Sequence, residues 1–222
     1  MGRDPVAARG RRRGLPVWAH LVLAVVVLAL LQGHVVKVGR IPSSSMEQTL
    51  AAGQLIAIDR LSPRWAPVAD GEVVVFRADE AWDGHPAAVV DGPVAAARWV
   101  AGVLGYGPGL DHLLVKRVIA AEDQEVACCD AEGRVEVDGE PLEESYIFED
   151  LPFAPGVLDC DSGSRRCFAP VVVPPGKLFV LGDHRSDSAD SISPCRGGSL
   201  SECAKFVDRD DVLGRVLGVG DG

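Results

Sequence analysis

Past its first forty residues this chain of 222 has no basic region. Lys and Arg number 22 against 32 Asp and Glu, for a formal net charge of -10. Arg3, Arg9, Arg11, Arg12 and Arg13 all precede the first apolar run, so the remainder is more acidic than the whole. A nucleic-acid partner is thereby excluded, because no basic face is available to neutralise phosphates. No Cys-x-x-Cys pair is matched by a second such pair or by paired histidines, so a structural zinc site is not expected. There is no internal repeat and no long low-complexity stretch. The composition, 47% hydrophobic and 24% charged, is that of a globular chain, and the length suits one domain of ordinary size with a small appendage.

The N-terminal part is punctuated differently from the rest. Residues 1–14 are rich in Arg and Gly and read as a disordered tail. Leu15 to Val36 is apolar apart from His20, Gln32 and His34, and a helix of about 20 residues spans a bilayer. A transmembrane anchor is expected over 15–38. Arginines before the run, against Lys37 and Arg40 after it, predict a cytoplasmic N-terminus and an extracytoplasmic remainder in a single-pass cell-membrane protein. A cleavable signal peptide would begin the same way, but no Ala-x-Ala site follows Leu31. No cysteine precedes the run. Cys128, Cys129, Cys160, Cys167, Cys195 and Cys203 all follow it, and an even number on the exported side suggests disulfides. Of the 15 possible pairings, local spacing favours Cys160 with Cys167 and Cys195 with Cys203, while the adjacent Cys128 and Cys129 stay open, as do free structural thiols.

After the anchor the texture is that of strands. Gln54–Ile58, Glu72–Phe76, Leu113–Ala120 and Lys177–Leu181 are short branched runs between Gly, Pro and Asp. Arg134 to Leu142 reads as a hairpin about the turn Asp138-Gly139. Val212–Val219 closes the chain, Pro93–Leu104 reads as a short helix or loop, and Glu143–Val173 as a stretch with little regular structure. The expected fold class is mostly β: an N-terminal transmembrane helix, then a β-rich catalytic domain over 39–122 and 174–219, with a small inserted hairpin and loop region over 123–173.

Three polar stretches stand out from this apolar texture. Pro42-Ser43-Ser44-Ser45-Met46 follows the apolar run directly, Lys116 lies inside the strand-like Leu113–Ile119, and Gly182 to Ser191 is a cluster of Asp, Ser and Arg. Singly, each has a bland reading: a serine loop, an edge-strand lysine, a solvated turn. Together, in this order behind an anchor, they resemble type I signal peptidases, the membrane-bound Ser/Lys proteases that remove signal peptides. Pro42, Ser43, Ser45, Met46, Thr49 and Leu50 match the family pattern around the nucleophile, and Gly182 to Ser191 matches its Gly-Asp-Asn-Arg segment. Weaker matches lie at Gly71–Phe76 and Val212–Arg215. The chain departs from the pattern at Gln48, where proline is usual, at His184, where asparagine is usual, and at Ile192, where arginine is usual.

The resemblance implies Ser45 as nucleophile, Lys116 as general base and Ser43 as an oxyanion donor beside the Ser45 N–H. It implies that Ser188 hydrogen-bonds the lysine, and that Asp183, Arg185 and Asp190 hold the site through ionic contacts. It implies exported preproteins as substrates, cut after small side chains at the first and third positions before the bond, and a monomer at the lipid bilayer with no cofactor and no metal. The chemistry agrees with the residues themselves. A serine hydroxyl needs a base, and a lysine of reference pKa about 10.4 serves only if burial disfavours its charge. Leu114 and Val118 flank Lys116 at strand period two, with Leu113, Val115 and Ile119 on the other face, where Arg117 also points. Met46 reads as a wall of the site or as simple packing, Ser44 as a spacer, and Val73–Phe76 with Val115 as candidate pocket residues. Two other readings compete: a Ser/His hydrolase with His112 or His184 as base, and an inactive anchored β domain that binds partners. A self-cleaving repressor of Ser/Lys design is disfavoured, since an anchor replaces any DNA-binding module.

Overall fold

A computed structural model describes residues 16–78, 82, 92, 93, 113–197 and 202–218. It opens with a helix, α1 (Val17–His34), and continues as strands β1 (Val36–Arg40), β2 (Leu55–Asp59), β3 (Val73–Arg77), β4 (Leu113–Ala121), β5 (Glu125–Cys128), β6 (Val135–Val137), β7 (Glu140–Pro141), β8 (Phe168–Val172), β9 (Lys177–Leu181), β10 (Val207–Asp208) and β11 (Val212–Val216). All the pairings are antiparallel. Seven strands form one sheet in the order β1-β2-β11-β3-β4-β9-β10, and four form a smaller sheet in the order β7-β6-β5-β8. The mostly β reading of the sequence holds.

Alternation of side chains explains the layering. Along β3, Val73 and Val75 pack with Ile41, Met46, Leu50, Ile58 and Val115, while Val74 and Phe76 pack with Val118, Leu178 and Val180. Both faces of this central strand are therefore covered, which is why it reads as an unbroken apolar run. A third cluster, with Val126, Phe168, Val171 and Phe179, joins the two sheets. The small sheet turns at Asp138-Gly139, as the sequence predicts. Both residues have positive φ, 53° and 80°, as a two-residue hairpin turn requires.

Two expectations need correction, and two strands were not foreseen. The helix ends at His34, and Val36–Arg40 is a strand paired with β2, so an anchor reaching residue 38 is too long. Among the described residues no helix is long and apolar enough to cross a membrane. Strand β8 lies inside the stretch expected to have little regular structure, because Phe168 and Val171 find a partner strand in β5. Strands β5 and β10 were not legible, the latter only two residues long. The tail over 1–14, His112 and all of Pro93–Leu104 except Pro93 lie outside the described residues. Cys160 is bonded to Cys167 and Cys195 to Cys203, as spacing favoured, and Cys128 and Cys129 are bonded to each other.

Candidate active site

The serine stretch is a loop pinned at both ends between β1 and β2. The Ile41 N–H donates to Gln54 O at 2.9 Å, and the Gly53 N–H returns a bond to Ile41 O at 2.8 Å. Ile41, Met46 and Leu50 sink into the core, each at 2% exposure or less. Met46 is thus a packing residue, and its burial holds Ser45 at the edge of the core, 9% exposed. Val73, Val74, Val75, Phe76 and Val115 are likewise buried in the core.

Strand β4 brings Lys116 to that serine. Lys116 is opposite Val74 in the sheet and only 2% exposed, and its Nζ donates to Ser45 Oγ at 2.6 Å. Burial lowers its pKa to about 8, against the opposing pull of Asp190, Asp183 and Asp187. Removal from water disfavours the ammonium, while nearby carboxylates favour it, and here burial is the larger effect. Ser43 Oγ lies 3.3 Å from Ser45 Oγ. The Ser45 N–H donates to none of the described residues, which leaves it available to an incoming oxygen.

The stretch after β9 closes over the serine loop. The His184 N–H donates to Ser45 O at 3.1 Å. Gly182 makes this approach possible, since a Cβ there would stand 2.6 Å from Ser45 O and overlap Ser188 Oγ. Ser188 Oγ is buried and makes no hydrogen bond, to Lys116 or to any other group among the described residues. Asp183 forms a buried two-point pair with Arg117, at 2.9 Å from Nε and 2.7 Å from Nη2. Thr49 donates to the same carboxylate. Arg185 pairs with Glu144 and donates from Nε to Gly182 O at 2.9 Å. Asp190 pairs with Arg196 at 3.2 Å. This last contact bears on the departure at Ile192, which is fully buried in the core. The guanidinium beside Asp190 comes from four residues further along. The His184 ring faces Glu149 at 3.4 Å and the edge of Phe148, and it forms no bond with the Ser45 hydroxyl.

Over residues 15–219 the chain matches the signal peptidase family, peptidase S26. It belongs to that family. It is 39% identical over 183 residues to Signal peptidase I of Mycobacterium tuberculosis (strain ATCC 25618 / H37Rv), covering 78% of this chain and 60% of that relative. It is 32% identical to Probable signal peptidase I-1 of Synechocystis sp. (strain ATCC 27184 / PCC 6803 / Kazusa), covering 77% and 69%. The chain thus spans about three-fifths of the length of the mycobacterial relative. A crystal structure of a signal peptidase I from Enterococcus faecalis V583 is similar over 68% of this chain and 97% of that one, with TM-score 0.34 and 18% identity.

Several residues around this S26 site were not legible in the sequence. Arg117 was expected only to point away from Lys116, yet it is 1% exposed and makes three kinds of contact. Besides Asp183 it donates to Gly71 O at 2.7 Å, and its guanidinium lies 3.8 Å from the centre of the Tyr146 ring. Its signal was there: an arginine in an apolar strand has to find a partner. Tyr146 and Glu144 carried no signal, because they come from an irregular stretch. Tyr146 donates to Glu144 at 3.0 Å, and burial, then the Glu144 charge, raises its pKa above the usual range. Ser44, read as a spacer, donates to Asp187 at 3.0 Å.

Proposed function

We propose that the chain is a membrane-anchored serine endopeptidase that removes N-terminal signal peptides from exported preproteins, cutting after small side chains of the Ala-x-Ala type. The observation that carries this reading is the buried Lys116 Nζ at 2.6 Å from Ser45 Oγ, in a chain of the S26 family. With its pKa brought to about 8, part of the lysine is neutral near neutral pH and can take the serine proton. Ser45 Oγ then bonds to the carbonyl carbon of the scissile peptide. The new oxyanion meets the Ser45 N–H and the Ser43 hydroxyl. Collapse of the tetrahedral intermediate breaks the C–N bond, and the ammonium of Lys116 returns its proton to the leaving amine. Water, deprotonated by the same lysine, then releases the acyl group from Ser45. No step draws on a cofactor, and both reacting side chains come from one chain, so a monomer suffices.

In this reading Asp183 and Arg185 keep the Gly182–Ser191 loop against the serine loop, Asp190 and Asp183 moderate the charge of the lysine, and Ser188 turns its unpartnered hydroxyl to Nζ when Ser45 is engaged. The departure at His184 is tolerable because its backbone N–H, and not its ring, reaches Ser45.

The anchor belongs to the same proposal. Helix α1, apolar apart from His20, Gln32 and His34, exposes Val17 at 78%, Trp18 at 68%, Leu21 at 64% and Val25 at 49%. Such a surface is excluded from water by the hydrophobic effect. Its 18 residues make a rod of about 27 Å, against about 30 Å of hydrocarbon, a mismatch that local thinning of the bilayer accommodates.

Cleavage of a preprotein with an Ala-x-Ala site, in detergent, tests the reading. Wild type should cut after the second alanine. Ser45→Ala and Lys116→Ala should each lose activity by roughly 10²–10⁴-fold or more while staying folded. Full activity in Lys116→Ala would remove the lysine from the mechanism, and His184→Ala would then be tested for the base.

A further inference from the structure

The basic residues of this acidic chain are not evenly spread over its surface. Arg60, Arg77 and Arg209 line one cleft of about 480 Å³, with Asp210 as the only acid among its described lining residues and Val68 and Val212 among its apolar walls. None of these residues bonds to Ser45 or Lys116. Gathering three guanidinium groups along one cleft raises the local potential, which favours an entering anion. The crowding is felt nearby. Burial, then the charges of Arg60 and Arg77, push the Lys37 ammonium below the usual lysine range. Arg77 is exposed at the end of β3. Arg209 reaches Glu122 at 3.4 Å, and its Nε is buried with no acceptor.

The position of the cleft narrows the choice of anion. The Arg60 N–H donates to Val35 O at 2.9 Å, and Val35 is the residue that caps the C-terminus of α1. The cleft thus lies where the apolar helix gives way to the folded domain. Between Pro63 and Pro67, which line the cleft, the chain carries Trp65 at 80% exposure. A tryptophan with nothing packed over it is the side chain most at home at the water–lipid boundary. If α1 lies in a bilayer, as proposed above, the cleft stands at the level of the headgroups. Guanidinium groups hold phosphate oxygens through paired, charge-assisted bonds.

We infer that the cleft formed by Arg60, Arg77 and Arg209 binds the phosphate of an anionic phospholipid headgroup at the outer surface of the membrane. One bound lipid then fixes the domain's tilt about the end of α1, and with it the height of Ser45 above the bilayer. The inference rests on the anchored reading, but it is tested separately from it.

The test is native mass spectrometry of the full chain in dodecyl maltoside, titrated with dioctanoyl phosphatidylglycerol, dioctanoyl phosphatidylcholine or inorganic phosphate. Wild type should retain one phosphatidylglycerol at a concentration about tenfold or more below that for phosphatidylcholine, the scale of a charge-assisted two-point bond. Arg60→Gln/Arg77→Gln/Arg209→Gln should lose that preference and still cleave preprotein in lipid-free detergent. If the triple variant does not fold, Arg77→Gln alone, at an exposed position, should weaken phosphatidylglycerol retention several-fold. Equal retention of the two lipids by wild type, or an unchanged preference in the folded variants, overturns the site. Displacement of phosphatidylglycerol by an equal concentration of inorganic phosphate overturns the lipid as its ligand. Because micelles need no spanning helix, loss of the preference speaks against the cleft alone, whereas release of the chain from membranes by alkaline carbonate speaks against the anchor alone.

Discussion

A single lysine illustrates what the site asks of the fold. Below pH about 8 both the folded and unfolded chains carry the Lys116 proton, and the folded state bears the full penalty of burying it. The difference between about 8 and 10.5 corresponds to about 3 kcal/mol. As pH rises from about 8 to 10.5 the folded chain releases its proton first, so this group's penalty fades and stability rises. Lys116→Met keeps the bulk and removes the charge. It should abolish activity yet melt above wild type at pH 7, with the gap closing by pH 10; a variant melting well below wild type at pH 7 would contradict the buried-charge account. In wild type, kcat/KM should climb through pH 8, and a flat profile from pH 6 to 10 would rule out Lys116 as the base. The neighbour at position 192 gives a second residue-scale lesson. Its arginine is absent, but Asp190 finds Arg196 instead, because a buried carboxylate is stable only with its charge answered.

At the scale of elements, the site is a contact between two loops and one strand. The loop from Ile41 to Gln54 supplies the serine, β4 the lysine, and the turn after β9 fastens one to the other through His184 N–H and Ser45 O. The two loops meet at Gly182, where close approach, and not a special φ, requires glycine. Gly182→Ala would force Ser45 O away from the turn, and overpacking of this kind costs about 1–3 kcal/mol. Its expected result is a folded enzyme with kcat reduced about tenfold or more, since displacement near 1 Å is enough to spoil alignment. Wild-type kcat in Gly182→Ala would mean that the loops are free to separate. The stretch Glu144–Glu149 also belongs to this frame. Its Phe148 N–H bonds Asp183 O, its Glu149 O accepts from Ser186, and its Tyr146 covers Arg117. The sequence placed it in an inserted region because it lacks periodicity, whereas its role comes from packing on a distant turn.

At the scale of the whole molecule, the proposed anchor depends on how α1 joins the sheets. Strand β1 leaves α1 after a single residue, Val35, and pairs at once with β2. Little slack therefore separates the helix from the sheet that carries the serine loop. With α1 in a bilayer, as proposed, a short tether of this kind would keep Ser45 near its surface, where a substrate held by its own apolar segment would be met. Membranes containing the full chain should retain it in the pellet after extraction at pH 11 in carbonate. A chain lacking residues 1–34 should be extracted and still cleave a soluble preprotein in detergent. Release of the full chain would refute the anchor and leave the catalytic proposal untouched.

Local order along the chain was enough to read the strands β2, β3, β4 and β9, the turn at Asp138-Gly139 and the pairing of the two spaced disulfides, since each depends on neighbours a few residues apart. Ser45, Lys116 and the Gly182 turn were singled out by resemblance to a family pattern, since each stretch alone has a bland reading. The closeness of those residues is another matter. Ser45 and Lys116 are 71 positions apart, and only the pairing of β3 with β4, together with the burial of Met46 and Leu50, brings Nζ within reach of Oγ. The roles of Arg117, Tyr146, Glu144 and Arg196 were decided in the same way, because a buried charge takes whichever partner the packing offers. The end of α1 at His34 was likewise a tertiary outcome: residues 35–38 were expected to belong to the anchor, but Val36–Arg40 pairs with β2, which satisfies the backbone there.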